Sequence, residues 1–327
     1  MQVLDPTSRG CTLGEVVRGA VPMTDRVAVT DIVPKARYRA FLRRADGPGL
    51  LFLAGHLATL AVTGTLVYLA HGTWWLLPAM ALHGVVLVHL FAPLHECTHY
   101  TAFESRWLND TVAWLAGLAI ILQPTFFRLE HRAHHAHTQH EHDDPELIAL
   151  PNGVAGYLWY LSTIPYWQGL IHNMIDHAQG RFNTTEQRFL DARQQREVMV
   201  GTRWMWAFYT AVALISLVAG SWAALTFWLI PRLLGEPYMR VVRMAEHVGL
   251  PLVPNFLQNT RTTKVLWPLR VLNWNMAYHT AHHFAPAVPF HRLPAFHREI
   301  EPHVASIGDG YIEVHGDIVR QVRERAV

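Results

Sequence analysis

Apolar residues run without a charged side chain from Leu50 to Ala70, and again from Trp74 to Leu94. Only His71-Gly72-Thr73 separates the two runs. A helix needs about 20 apolar residues to cross a bilayer, so the pair predicts a transmembrane hairpin. A second pair, Trp204–Ala219 and Trp222–Leu234, is split by Gly220-Ser221 and predicts another hairpin, each run being short and extended by its flanks. Between the pairs, residues 111–123 form a shorter apolar stretch closed by Pro124. It is expected to be re-entrant, interfacial or buried against the other helices. Residues 154–171 are apolar and aromatic but interrupted by Pro165, and are expected to lie along the membrane surface. Residues 1–47 read as polar and loosely structured, 180–203 as polar and Arg-rich, and the chain after Arg240 as polar to its end. The pattern predicts an all-α integral membrane protein with four transmembrane helices in two hairpins.

Composition agrees. Hydrophobic residues make up 51% of the chain and charged residues 16%, with mean hydropathy above zero. Soluble domains carry about a quarter charged residues. The 27 basic and 25 acidic residues nearly cancel, so their placement carries the information. Neither hairpin tip contains Lys or Arg. The opposite side carries Lys35, Arg37, Arg39, Arg43 and Arg44, then Arg193, Arg196 and Arg203, then Arg240 and Arg243. The positive-inside rule then puts both termini and the polar segments in the cytoplasm. Trp74 and Trp75 suit an interfacial belt. Two cysteines, Cys11 and Cys97, make no disulfide framework. The N-terminus shows no apolar signal-peptide core. No basic face or motif points to nucleic acid.

Histidine is the outlier. Of 22, eight fall between His95 and His142, and three more between His279 and His283. His95 and His99 are four apart and share a helix face. His131, His134 and His135 have spacings of three and four, as do His279, His282 and His283. Three helical segments therefore each present a row of imidazoles to one centre at the cytoplasmic end. Eight imidazoles exceed the four ligands of a zinc site, whereas two metals at four or five nitrogens each use the set. Imidazole suits iron, copper, zinc and nickel. The full signature of carboxylate-bridged di-iron bundles, a Glu from each of two helices plus a Glu-x-x-His from each of two others, is absent. His137, His140 and His142 are expected to be solvated or to lie outside the ligand set. His83 and His89 lie inside the second run, where an ionisable residue is a functional candidate or a histidine hydrogen-bonded between helices.

The order H-x3-H, H-x2-H-H and a distant H-x2-H-H around two membrane hairpins resembles the membrane fatty-acid desaturase and hydroxylase superfamily, over roughly residues 48–300. Residues 1–47 and 301–327 are then cytoplasmic terminal segments flanking a desaturase-like membrane domain with a cytoplasmic helical cap. Asp143-Asp144-Pro145-Glu146, Arg243-Met244-Ala245-Glu246-His247, Asn259-Thr260-Arg261-Thr262 and Asn273-Trp274-Asn275-Met276-Ala277-Tyr278-His279 resemble bacterial members, in a branch that includes sphingolipid-desaturase-like and rhizobitoxine-desaturase-like enzymes. The resemblance implies two iron ions held by His95, His99, His131, His134, His135, His279, His282 and His283. His247 is the best match for a ninth ligand, and Asn275 for a residue holding water near the metals. Ligand histidines donate their other N–H to carboxylates or carbonyls. Asp143, Asp144, Glu146, Glu96, Glu130 and Glu246 are candidates for that role.

The resemblance further implies an O2-dependent oxidase that removes hydrogen from an unactivated C–H bond of a lipid acyl chain or smaller amphiphile. Desaturation and hydroxylation share that step, and the sequence leaves both open. The chain shows no fused cytochrome b5 or flavin domain and no CxxC pair, so an external donor, ferredoxin or rubredoxin with a reductase, is expected. The bacterial inner membrane is the expected location. Two other readings compete. His95-Glu96-Cys97-Thr98-His99 matches HExxH, in which Glu activates water on zinc, but the remaining histidines would then have no role. A metal transporter would place its ligands near the bilayer midplane, not beyond the ends of the spans.

Overall fold

A computed structural model describes residues 26–325 of the chain. Cys11 and the rest of residues 1–25 lie outside it. The described chain is mostly helical. Two short helices, α1 (Val29–Ile32) and α2 (Lys35–Phe41), precede the long α3 (Asp46–Leu69). Helices α4 (Leu76–Val88) and α5 (Phe91–Thr98) follow as one run of 23 residues. Next come α6 (Arg106–Ile120) and α7 (Pro124–His137), then α8 (Gly153–Leu161), α9 (Ile164–Ala178) and α10 (Glu186–Phe189). The long α11 (Ala192–Val218) leads to a π-helical turn (Leu225–Leu229) continuous with α12 (Ile230–His247). The rest is α13 (Phe256–Asn259), β1 (Thr262–Thr263), α14 (Trp267–Leu272), α15 (His279–Phe284), α16 (Leu293–Ile300), β2 (Ile307–Gly308) and α17 (Tyr311–Glu324). β1 and β2 pair in parallel.

Among the described residues, three helical runs are long and apolar enough to cross a membrane: Asp46–Leu69, Leu76–Thr98 and Ala192–Val218. The first two form the expected hairpin. Thr63 Oγ1 meets His83 Nδ1 at 2.7 Å and His56 Nε2 meets the Val86 carbonyl at 2.9 Å, a register centred on the 71–73 turn. After Ala192–Val218 the chain also doubles back. Tyr209 and Trp228, about equally far from the turn at 219–222, pack with ring centroids 5.7 Å apart. Its outgoing helix is less apolar than the others because it carries Arg232, Glu236, Arg240 and Arg243. Arg232 and Glu236 are buried, Arg240 and Arg243 are partly so, and all four are paired. Glu236 meets both Arg232 and Arg240, and Arg232 donates to the Tyr166 hydroxyl and the Ile120 carbonyl. A buried ion is tolerated only with such partners.

The tightest helix crossing in the bundle is α4 against α12, at two glycines. A Cβ on Gly84 would lie 2.0 Å from the Pro231 carbonyl oxygen, and one on Gly235 2.2 Å from the Gly84 oxygen. Small residues let membrane helices approach this closely. Trp74, Trp75 and Trp222 stand exposed at the two hairpin turns. The opposite end gathers the starts of α3 and α11 and the ends of α5 and α12.

Several sequence expectations change. Residues 26–45 are not loose: α1 and α2 insert Val33 and Phe41 into the largest apolar cluster. The helix of the second hairpin starts at Ala192, inside the polar stretch, with Asp191 capping it through Gln194 N at 2.8 Å. The stretch around 111–123 is α6, and α6 and α7 meet at 101°. Pro124 pushes Gln123 into extended backbone, and the Gln123 side chain caps α7 at Phe126 N. Pro165 does not kink a helix but starts one, at the first turn of α9, where its missing N–H costs nothing. The outer sides of α8 and α9 expose Leu158, Trp159, Ile164, Ile171 and Ile175. The chain beyond residue 300 packs in: Val314, Ile318 and Val322 of α17 are buried against Met244, Ala245 and Val248.

Candidate metal centre

Four helix ends meet at the end of the bundle opposite the hairpin turns. His95 lies in α5 and His99 caps its C-terminus; His131, His134 and His135 share one face of α7. His247 is the last residue of α12, and His279, His282 and His283 line α15. All nine converge. Side-chain nitrogens of His95, His99, His131, His135 and His282 lie within 4.8 Å of one another, as do those of His134, His247 and His283. His279 joins the second group, its Nε2 2.9 Å from His247 Nε2. The groups touch where His135 stacks on His283 with centroids 4.2 Å apart.

The protons at this centre are assigned by what lies behind the rings. His131 Nδ1 faces Glu146 Oε1 at 2.7 Å and His134 Nδ1 faces Asp144 Oδ1 at 2.7 Å. His247 Nδ1 faces the Asn259 carbonyl at 3.1 Å. Each must donate, which leaves the Nε2 of a neutral ring as a bare lone pair. Burial first, and neighbouring imidazoles second, push His131, His135, His282 and His283 well below the ordinary histidine range. The neutral ring is the form that binds metal. His135 Nε2 lies 3.1 Å from His131 Nε2 and 3.0 Å from His282 Nε2. The Nε2 atoms of His95, His99, His134 and His283 are buried with no partner at all. Inward lone pairs packed this closely and left unpaired are costly in a protein interior. Cations relieve that cost, and two cations match two groups, so the residues present fit a pair of transition-metal ions.

The carboxylates sort cleanly. Asp144 also accepts from Gln139 N at 2.8 Å and Glu146 N at 2.9 Å, so it fixes the loop after α7 as well as His134. Glu246 Oε1 stands 3.6 Å from His279 Nδ1. Asp143 does not reach the centre. It is turned outward to Arg188 and to His140, at 3.2 Å from each. Glu96 is fully buried but sits behind the rings, 3.8 Å from His95 Nδ1 and 3.9 Å from His282 Nδ1, and accepts from Thr101 Oγ1. It is not among the inward nitrogens, where an HExxH base would stand. Asn275 is buried in left-handed backbone, φ 63°, and its Nδ2 donates to the Phe290 carbonyl at 3.1 Å. His137, His140 and His142 are exposed beyond the row. His83 is held between helices by Thr63 and the Phe227 carbonyl.

Two contributors were not foreseen as such: nothing in the sequence marked Thr138, and Arg261 stood out only within the segment Asn259-Thr260-Arg261-Thr262. Thr138 Oγ1 lies 3.3 Å from His283 Nδ1. Arg261 donates to the Ala245 and Val248 carbonyls at 2.7 and 3.2 Å and so fixes the end of α12 that carries His247. Replacing Arg261 by Ala would strand those carbonyls. The expected cost is about 1–3 kcal/mol, read as a lower thermal midpoint of the detergent-solubilised protein; an unchanged midpoint would contradict it.

On the membrane side the centre is walled by aromatic rings. Phe127 stacks on His131 at 5.2 Å and Phe91 lies 5.8 Å from His95. They belong to an apolar cluster with Leu87, Leu90, Leu94 and Ile120, against which Trp228 packs. Trp228 also lines an apolar groove of about 730 Å3 between α9, α11 and the π-helical turn, with Trp167, Met174, Trp206 and Leu217.

Comparison with known proteins was made on this background. The family model described as fatty acid desaturase matches residues 72–315. An sn-1 oleoyl-lipid 12-desaturase of Picosynechococcus sp. is 25% identical over 293 residues, covering 81% of this chain and 79% of that protein. One of Anabaena variabilis is 26% identical, covering 71% of each chain. A chloroplastic omega-6 fatty acid desaturase of Arabidopsis thaliana is 25% identical, over 72% of this chain and 56% of its own.

Proposed function

Because the chain belongs to the fatty acid desaturase family, and is therefore an oxidoreductase, we propose that it introduces a double bond into the acyl chain of a membrane lipid, using O2 and two iron ions. In this reading His95, His99, His131, His135 and His282 hold one iron, and His134, His247, His279 and His283 the other. The convergence of nine inward-facing imidazoles in two adjoining groups carries the proposal. Bound there, a reduced iron pair supplies the O2 chemistry that takes hydrogen from an unactivated carbon.

The protein's part is placement and dryness. Phe91 and Phe127 close the membrane side of the centre to water and present an apolar face to an acyl carbon. The groove that Trp228 shares with their cluster is within the size range of ligand pockets and lies on the path a chain would take from the bilayer. An acyl-lipid substrate is also what the cyanobacterial relatives' names state for those proteins. The helical run 223–247 serves as the fourth span, its charges satisfied within the bundle. The absence of Lys and Arg at both hairpin turns, against the arginines at the histidine end, supports a cytoplasmic position for that end, where a soluble one-electron donor such as ferredoxin or rubredoxin would reach it.

The test is product analysis after turnover with reduced ferredoxin and O2 in vesicles of saturated and monounsaturated phospholipids. A fatty acid two hydrogens lighter is expected. A hydroxylated chain would redirect the reading to a monooxygenase. No product from protein loaded with two irons would remove acyl lipid as the substrate. A narrower prediction concerns Glu96→Gln. It preserves the Thr101 contact and is expected to lower activity by no more than about 10–100-fold with iron retained, the effect of an outer partner. Total loss of activity with iron retained would give Glu96 a direct chemical role.

A further inference from the structure

Behind the two groups of imidazoles, one guanidinium joins the carboxylates that orient them. Arg243 Nη2 donates to Glu146 Oε2 at 2.5 Å and Nη1 to Glu246 Oε2 at 3.1 Å. The other oxygen of Glu146 takes the Nδ1 proton of His131, and the other oxygen of Glu246 faces Nδ1 of His279. His131 belongs to the first group and His279 to the second. Arg243 also lies one helical turn before His247 on α12, and its guanidinium stands over the Phe91 ring at 5.6 Å, the same ring that packs on His95. Its side chain is 11% exposed. All four helix ends that supply the nine histidines are thus referenced to one side chain that touches none of the inward nitrogens.

We propose that Arg243 is a positioning residue that couples the two metal subsites, by holding Glu146 and Glu246, and through them His131 and His279, in one fixed relation. The proposal rests on the di-iron reading. Its physical basis is the planar fork of arginine, which presents N–H groups in a rigid array that two carboxylates can share. Lysine supplies the charge but not the fork. Without the cation the two carboxylates are left unpaired, His131 loses the fixed acceptor that sets its ring orientation, and His279 loses the carboxylate that stands against its Nδ1.

The experiment uses full-length protein in detergent, grown on the Mössbauer-active iron isotope. Wild type, Arg243→Gln, Arg243→Lys, Glu146→Gln and Glu246→Gln are compared by iron per chain, Mössbauer spectrum and rate of iron release to a chelator. Arg243→Gln is expected to shift the signals of both irons and to speed the release of both by about 10–100-fold. Glu146→Gln should affect chiefly one iron and Glu246→Gln chiefly the other. Arg243→Lys should shift both signals while releasing iron more slowly than Arg243→Gln. If Arg243→Gln does not accumulate, the lysine variant carries the test by the same two-signal shift. Wild-type spectra and release rates in either arginine variant, even with a lowered thermal midpoint, would overturn the coupling. Wild type without an iron pair would instead overturn the di-iron reading beneath it.

Discussion

His282→Ala is expected to reduce desaturation by at least about 100-fold and to lower iron content, beyond the loss that attends a mere outer partner. His282 is buried, and its Nε2 closes the first group at 3.0 Å from His135 Nε2. Removing the ring deletes one inward lone pair and opens a void between α15 and α5, where His282 packs on His95 at 4.6 Å and on His99 at 4.7 Å. His134→Ala should do the same to the second group, and it also strands Asp144, which loses its imidazole partner. His140→Ala is the control. That ring is exposed, faces Asp143 at the surface, and its loss should leave activity and iron unchanged. Turnover and iron analysis on the three purified variants decide the matter. Full iron and activity in His282→Ala would sink the assignment of that residue as a ligand.

A second large effect is expected far from the metals. At the α4–α12 crossing a side chain on Gly84 would have to occupy space filled by the Pro231 carbonyl oxygen. The obstacle is backbone, so no rotamer change relieves it. Gly84→Val should push α12 away from α4, at the upper end of overpacking costs, about 3 kcal/mol. Because α12 ends in Glu246 and His247, the displacement reaches the centre. Expression, thermal midpoint and iron content should fall together. A stable variant with normal iron would show that α12 is positioned by something other than this contact.

The three histidine rows were legible in the sequence because helix periodicity is local: spacings of three and four put imidazoles on one face whatever the tertiary fold. The first hairpin was legible for a similar reason, as two charge-free runs of bilayer length. What was not legible is non-local. His247 stood out only through resemblance, since nothing near it in the chain marks it as facing His279. Asp143 and Asp144 are adjacent and chemically alike, yet the loop turns one to His134 and the other to the surface. Arg232, Glu236 and Arg240 obscured the last helix of the second hairpin, because composition does not reveal that these charges satisfy one another within the bundle. Residues 26–45 read as loose on their charges, while Val33 and Phe41 anchor them in the core with Val27, Val29, Ile32, Tyr38 and Leu42 packed alongside. The division of nine histidines into groups of five and four follows from how four separate helix ends meet, which no window of the sequence contains.

The most direct test is the metal content of detergent-purified protein expressed with ample iron, measured by mass spectrometry. The account predicts about two irons per chain and little zinc, matching the two groups of inward-facing nitrogens. One zinc per chain, or no tightly held metal, would contradict it.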